Sequence, residues 1–239
     1  INSVNIYNPM EYMVLDMFTR VNLELTGTIR GNKKKGSLLH VLDKTSTTMG
    51  GRTLRKWIEE PLINKEEINK RLDSVDELFN NIYFTEELRE SLKNIYDIER
   101  IVGKISNKNV NAKDLVSLNM SLMKLPEIKE KLSVCKADLL SDWYNNLDVL
   151  DDIRTLLSKA LLDDPSTSVK EGNIIREGYS SKVDELREAK LNGKQWIASL
   201  ESKEREFTGI KSLKIGYNKV FGYYIEISKA NYRFIPDGR

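Results

Sequence analysis

Residues Gly209–Ser228 read GIKSLKIGYNKVFGYYIEIS, a stretch that alternates with the period of a β-strand where most of the chain before it follows the period of a helix. Leu213, Ile215 and Tyr217 alternate with Ser212, Lys214 and Gly216. After a turn near Asn218 and Lys219, Phe221, Tyr223, Ile225 and Ile227 alternate with Gly222, Tyr224, Glu226 and Ser228. Successive strand side chains point to opposite faces, so the pattern predicts an antiparallel hairpin with one apolar and one mixed face and with Lys214 and Lys219 exposed. Two strands alone are marginal in water. Either further strands join them or the apolar face packs on the helix that comes before.

That helix is predicted over residues 181–207, SKVDELREAKLNGKQWIASLESKEREF, where Val183, Leu186, Ile197, Leu200 and Phe207 fit only an interrupted face. Gly193 in its interior costs about 1 kcal/mol against Ala. So polar a helix is expected to project or to lie along a partner helix, the alternative being a solvated surface helix of a compact bundle. Pro165, Gly172 and Gly178 break the periodicity of residues 162–180, which read as the main linker. Upstream, Ser37 and Thr48 are expected helix caps, Leu54, Trp57 and Ile58 form a stripe, and Pro61 ends that helix. Asn64 caps the next helix, with Glu67 three residues later as a capping box and Ile68, Leu72, Val75 and Leu78 along one face. Leu88, Leu92, Ile95 and Ile98 form another stripe, Leu115, Leu118 and Leu122 a third, and Pro126 sits in a further first turn. The stripes are expected to bury against one another. The predicted fold class is mainly α, a multi-helix body with a small antiparallel β-hairpin at the C-terminal end.

With 40% apolar and 31% charged residues, the chain has enough apolar surface to order itself. No run is apolar for the roughly 18 to 20 residues of a membrane span and no secretory signal opens the chain, so a cytoplasmic location without membrane contact is the default expectation. Cys135 is the only cysteine, which excludes an internal disulfide and points to a packing role. Net charge is only +2, but its distribution is uneven: Lys and Arg outnumber Asp and Glu nine to five in residues 1–59 and six to two in residues 207–239, while acidic residues lead 29 to 23 between them. Basic ends of this kind hold a polyanion or simply keep the ends soluble. The sequence opens INSVNIYNPM without an initiating Met and stops at FIPDGR after a strand-like run, so a fragment of a longer protein is expected.

Enzymatic signals are weak. His40 is the only histidine, and with a single cysteine no metal ligand set of His or Cys exists. His40 at a stripe edge reads as structural, and Asp163 and Asp164 beside Pro165 read as a turn or cap rather than a catalytic dyad. Gly31–Ser37, GNKKKGS, has the glycine spacing of a P-loop but Ser37 and Leu38 where Lys and Ser or Thr belong, and reads as a basic surface turn. Nucleic-acid binding is the best chemical reading. Lys214, Lys219, Lys229 and Arg233 are the candidates for phosphate contact, whereas Tyr217, Phe221, Tyr223, Tyr224 and Tyr232 invite stacking but read as framework because they alternate.

Five ordered stretches resemble the MutS family of DNA mismatch-repair proteins, in its core and lever region and the start of its clamp. They are LDMFTRVNLEL (Leu15–Leu25), VLDKTSTTMGGRTLRKWI (Val41–Ile58), DIERIVGKI (Asp97–Ile105), EGNIIREGYSSKVDELR (Glu171–Arg187) and LKIGYNKVFGYYIEIS (Leu213–Ser228). The resemblance implies an elongated helical core and lever over residues 1–205 and the start of a truncated β-rich clamp over residues 206–239. It implies a parent protein that embraces double-stranded DNA as a dimer with a second MutS subunit and uses ATP and magnesium to signal downstream repair factors. The mismatch-reading Phe-x-Glu element and the ATPase with its P-loop have no counterpart here, so this chain itself is expected to be non-catalytic and to hold no cofactor.

Residue by residue, the resemblance makes Thr19, Asn22, Leu23, Glu24 and Leu25, and Met49, Gly50, Arg52, Leu54 and Trp57, framework of the core. Glu177, Gly178, Tyr179 and Leu186 match the start of the lever helix, and Gly216, Tyr217, Asn218, Gly222, Tyr223, Tyr224 and Ile225 the first clamp strands. The competing reading is a stand-alone helical scaffold that binds protein and ignores DNA.

Overall fold

The computed structural model describes residues 11–220 and 222–235. Phe221 and the first ten residues, both read from the sequence, lie outside them. Among the described residues the chain is mainly helical with one two-stranded antiparallel sheet near its C-terminal end, the fold class that the periodicities predict. It divides into two compact units, Ile1–Arg176 and Glu177–Arg239.

The first unit contains α1 (Met17–Asn22), α2 (Leu38–Leu42), α3 (Thr48–Glu59), α4 (Lys65–Asn80), α5 (Ile82–Lys93), α6 (Ile98–Ser106), α7 (Ala112–Leu122), α8 (Leu125–Leu132), α9 (Asp138–Asn146) and α10 (Asp151–Ala160). Helix α7 packs on α6, α8 and α10, while α4, α5, α8 and α9 pack around one another. Two apolar clusters result. Ile101, Leu118 and Leu122 centre one, with Ile98 and Leu157 against it. Ile128, Leu132 and Leu140 centre the other, with Leu88, Leu92, Ile95 and Cys135 against it. Each buried leucine or isoleucine contributes roughly 1.5–3 kcal/mol by leaving water. The Leu88, Leu92, Ile95 and Ile98 stripe therefore divides between both clusters, because α5 ends at Lys93 and Ile98 already belongs to α6. Burial in apolar surroundings pushes the Cys135 thiol pKa up, with the Glu77 charge adding to it, in keeping with the packing role read for it.

Local signals place most helix ends. The Ser37 hydroxyl caps α2 by accepting from the His40 N–H (3.3 Å), and α3 stops just ahead of Pro61. The Asn64 side chain accepts from Glu66 and Glu67 N–H at the start of α4, and Pro126 lies in the first turn of α8. Three expectations need correction. Thr47, not Thr48, caps α3 by accepting from Gly50 N–H (2.9 Å), since the backbone is still extended at Thr47, and the Thr48 hydroxyl donates to Asp97 Oδ2 instead. The Glu67 carboxylate pairs with Lys70 (2.8 Å) rather than returning to the cap. Leu72 and Val75 are exposed. Helix α4 buries Ser74, which is 5% exposed and donates to the Lys70 carbonyl, and packs half-buried Leu78 against the cluster of Ile128, Leu132 and Leu140.

Polar ties join segments far apart in sequence. Leu38 and Leu39 N–H, the first donors of α2, find the carbonyls of Glu24 (3.0 Å) and Leu25 (2.9 Å). Glu24 sits at φ +49 and its carboxylate accepts from Ile29 N–H (2.8 Å). Leu25 is buried, whereas Asn22 and Leu23 are exposed at the end of α1. The Glu77 carboxylate accepts from Lys136 and Ala137 N–H (2.8 and 2.6 Å), capping α9 from α4, since α9 has no side-chain cap of its own. Helix α3 contributes Met49 and Leu54, both half-buried, and stacks Trp57 under Arg71 of α4 at 3.7 Å.

Arg52 makes four hydrogen bonds across one of these ties. Its guanidinium donates to both oxygens of Asp97 (2.7 and 2.8 Å) and twice to Glu99 Oε2 (2.6 and 3.1 Å). Asp97 also caps α6 by accepting from Arg100 N–H. The Arg52 hydrogen bonds, helped by Arg100 N–H and the Thr48 hydroxyl, hold the Asp97 carboxyl well below the usual carboxylate range. A carboxyl whose pKa is lower in the folded than in the unfolded chain stabilises the fold above the unfolded value, and that stabilisation declines from there and is lost as pH falls through the folded value. Thermal melts are expected to show stability declining as pH drops below about 4. Arg52→Lys, which cannot fork both carboxylates, is expected to lower Tm by a few degrees at neutral pH and to flatten the acid decline. An unchanged acid profile in the variant contradicts the tie.

Candidate nucleic-acid interface

The second unit begins with α11 (Ser181–Thr208), a 28-residue helix that rises about 42 Å at 1.5 Å per residue. Neighbouring turns carry ion pairs rather than a core stripe: Arg187 with Asp184 (3.1 Å) and Arg205 with Glu201 (2.6 Å). Val183, Ile197 and Leu200 are half-buried, while Leu186 and Phe207 are exposed, so only part of the interrupted face is covered. Gly209, at φ +68, ends the helix in the left-handed conformation that glycine adopts without a Cβ penalty.

The chain then returns as β1 (Lys214–Asn218) and β2 (Gly222–Glu226), paired antiparallel with Lys214 opposite Glu226, Ile215 opposite Ile225, Gly216 opposite Tyr224 and Tyr217 opposite Tyr223. Ile215 N–H does not face β2. It donates to Glu201 Oε2 of α11 (3.0 Å), while Arg205 Nε donates to the Leu213 carbonyl (2.7 Å). Ile215↔Ile225 is therefore a non-hydrogen-bonded pair and so, two residues on, is Tyr217↔Tyr223, whose close side chains bring the rings to 5.0 Å at 57°. Tyr224 lies over Gly216, where an added Cβ would come within 2.7 Å of the ring.

The hairpin has a covered base and an open end. Ile210 and Leu213 are 3% and 2% exposed, and with Glu204, Thr208, Ile225, Ile227 and Ile235 they line a half-open, mainly apolar pocket of about 210 Å³ at the end of α11. Tyr217 and Tyr223 are exposed, so they stabilise each other across the strands rather than filling a core. At the tip, Asn218 Oδ1 accepts from Val220 N–H (2.8 Å), and Gly222 at φ +75 leads into β2. After β2 a 3-10 segment, Lys229–Phe234, is held to the hairpin base by the Asn231 amide, which donates to Ser212 (3.0 Å) and Ser228 (3.1 Å).

All four basic residues singled out from the sequence fall in this unit with exposed side chains: Lys214 on β1, Lys219 at the tip, and Lys229 and Arg233 on the 3-10 segment. Sequence reasoning missed Glu201 and Arg205. The only signal for them was an i, i+4 Glu and Arg on a polar helix, which usually means a solvated pair. The residues considered for catalysis do not converge. His40 is exposed, Asp163 pairs with Arg176 (2.8 Å) and Asp164 lies 3.3 Å from Lys113. No group of three or more His, Cys, Asp or Glu able to hold a metal occurs among the described residues, and no helix among them is long and apolar enough to cross a membrane.

An alanine at 222 has to adopt a positive φ, at a cost on the order of 1 kcal/mol. Gly222→Ala is therefore expected to speed amide exchange across Lys214–Glu226 while leaving α7 and α8 unchanged; exchange as slow as in the parent chain contradicts the role of this glycine in the turn.

The first unit is a multi-helix body, and the second is a long polar helix whose C-terminal end carries a basic hairpin. The family model for MutS domain III matches residues 18–232, and the chain belongs to that family. It is 65% identical over all 239 residues to the DNA mismatch repair protein MutS of Clostridium beijerinckii, 64% to that of a type B strain of Clostridium botulinum and 57% to that of a type A strain of Clostridium perfringens. It covers 26%, 25% and 26% of those proteins, so the chain spans about a quarter of the length of the curated relatives it matches.

Proposed function

We propose that this chain is the central segment of a bacterial MutS mismatch-repair protein, coupling an ATPase elsewhere in the protein to a clamp that holds DNA. Residues 1–205 serve as core and lever, and residues 206–239 begin the clamp. Lys214, Lys219, Lys229 and Arg233 contact phosphates of double-stranded DNA without reading bases, and Gly216, Tyr217, Asn218, Gly222, Tyr223, Tyr224 and Ile225 are the framework that presents them. The chain's own role is non-catalytic. The partners are duplex DNA and, for the longer protein, a second MutS subunit and downstream repair factors, in the cytoplasm.

ATP and magnesium belong to the ATPase of the longer protein, and the one glycine-spaced loop here does not fit them. In Gly31–Ser37 the Ser37 N–H donates to the Lys34 carbonyl (3.1 Å) and the Lys33 N–H to the Thr28 hydroxyl (3.2 Å). Those donors are engaged by neighbouring groups of the chain rather than turned to a phosphate, and Ser37 is fully buried as the cap of α2.

The observation that supports DNA holding best is the presence of the exposed cations of β1, the tip and the 3-10 segment on one small element tied to the end of α11. Its test is a titration of labelled duplex at two salt concentrations. Lys214→Ala and Lys219→Ala are each expected to weaken binding about equally for matched and mismatched duplex and to reduce the salt slope by about one. Binding unaffected by both substitutions contradicts the assignment.

A further inference from the structure

We propose that Glu201 and Arg205 are positioning residues that stand in for a neighbouring strand, occupying the outer edge of β1 and fixing the orientation of the hairpin on α11. In a parallel β-ladder, one residue of a neighbouring strand accepts from the N–H of residue i+1 and donates to the carbonyl of residue i−1. Around Lys214 those two groups are Ile215 N–H and the Leu213 carbonyl, and Glu201 and Arg205 meet them at 3.0 and 2.7 Å. The circuit closes on itself, because Arg205 Nη2 lies 2.6 Å from Glu201 Oε1 while Oε2 takes the backbone N–H. Helical spacing supplies the geometry, since residues four apart lie on the same face of α11. The side chains are 24% and 38% exposed, so the bracket is partly withdrawn from water, where charge-assisted hydrogen bonds hold better.

The consequence is mechanical. An unbracketed strand edge offers free donors and acceptors and lets a two-stranded sheet pivot or pair with another chain. Here the edge beside α11 is satisfied at Leu213 and Ile215 by groups on the helix itself, so rotation of the helix carries the hairpin with it. The purpose assigned to this rigidity, presenting phosphate-contact lysines in one orientation, rests on the DNA-holding reading. The bracket does not depend on that reading.

The test uses the 239-residue chain in a Cys135→Ala background, spin-labelled at Lys194→Cys on α11 and Val220→Cys at the tip, without DNA. The parent is expected to give one narrow distance distribution. Glu201→Ala and Arg205→Ala are each expected to broaden it and to speed exchange of the Ile215 amide about tenfold or more, with helical circular dichroism unchanged. Glu201→Gln keeps an acceptor for Ile215 N–H and is expected to restore most of the narrow distribution. A distribution as narrow in both alanine variants as in the parent overturns the proposal. Broadening with duplex affinity unchanged, together with Lys214→Ala and Lys219→Ala binding like the parent, leaves the bracket standing and removes the DNA-holding reading.

Discussion

Where the chain enters β1, the Ile215 N–H and the Leu213 carbonyl face away from β2, and a single carboxylate–guanidinium pair on α11 satisfies both. The form of the second unit follows from this. Two strands bury too little apolar surface to hold their own orientation, and α11 half-buries Val183, Ile197 and Leu200 while its Leu186, Leu191, Trp196 and Phe207 are exposed. Buried Leu213 and Ile210 fasten the base of the hairpin by hydrophobic contact, which is non-directional. Direction comes from the hydrogen bonds.

The first unit is built by the same division of labour. Its apolar clusters are modest, centred on Leu122 and Leu140, and its short helices are joined by polar groups reaching across long stretches of sequence. Arg52 forks onto Asp97 and Glu99, Glu77 caps α9, and the carbonyls of Glu24 and Leu25 receive the first donors of α2. Several large apolar side chains remain exposed, among them Phe18, Phe79 and Tyr83.

What the sequence revealed and what it hid have physical causes. Period-two alternation made the hairpin legible, and the charge on its mixed face pointed to the same element that carries the exposed cations. Pro61 and Asn64 act within a few residues of themselves, so the helix ends they set were readable. The buried face of α4 was readable at Ile68 and Leu78 but not at Ser74, a small polar residue that no hydrophobic stripe selects. Two adjacent threonines could each have capped α3, and only the backbone conformation chose Thr47. Arg52 and Asp97 are 45 residues apart, and Glu201 and Arg205 bond to main-chain atoms of another element, which their i, i+4 spacing does not reveal.

DNA holding by the hairpin, the central functional claim, is tested most directly by mapping backbone amide shifts of the chain on addition of a short duplex. Perturbations concentrated at Lys214–Lys219 and at Lys229–Arg233, shrinking as salt is raised, are expected. Shifts confined to Ile1–Arg176, for instance at the Lys33–Lys35 turn, with the hairpin silent, would contradict it.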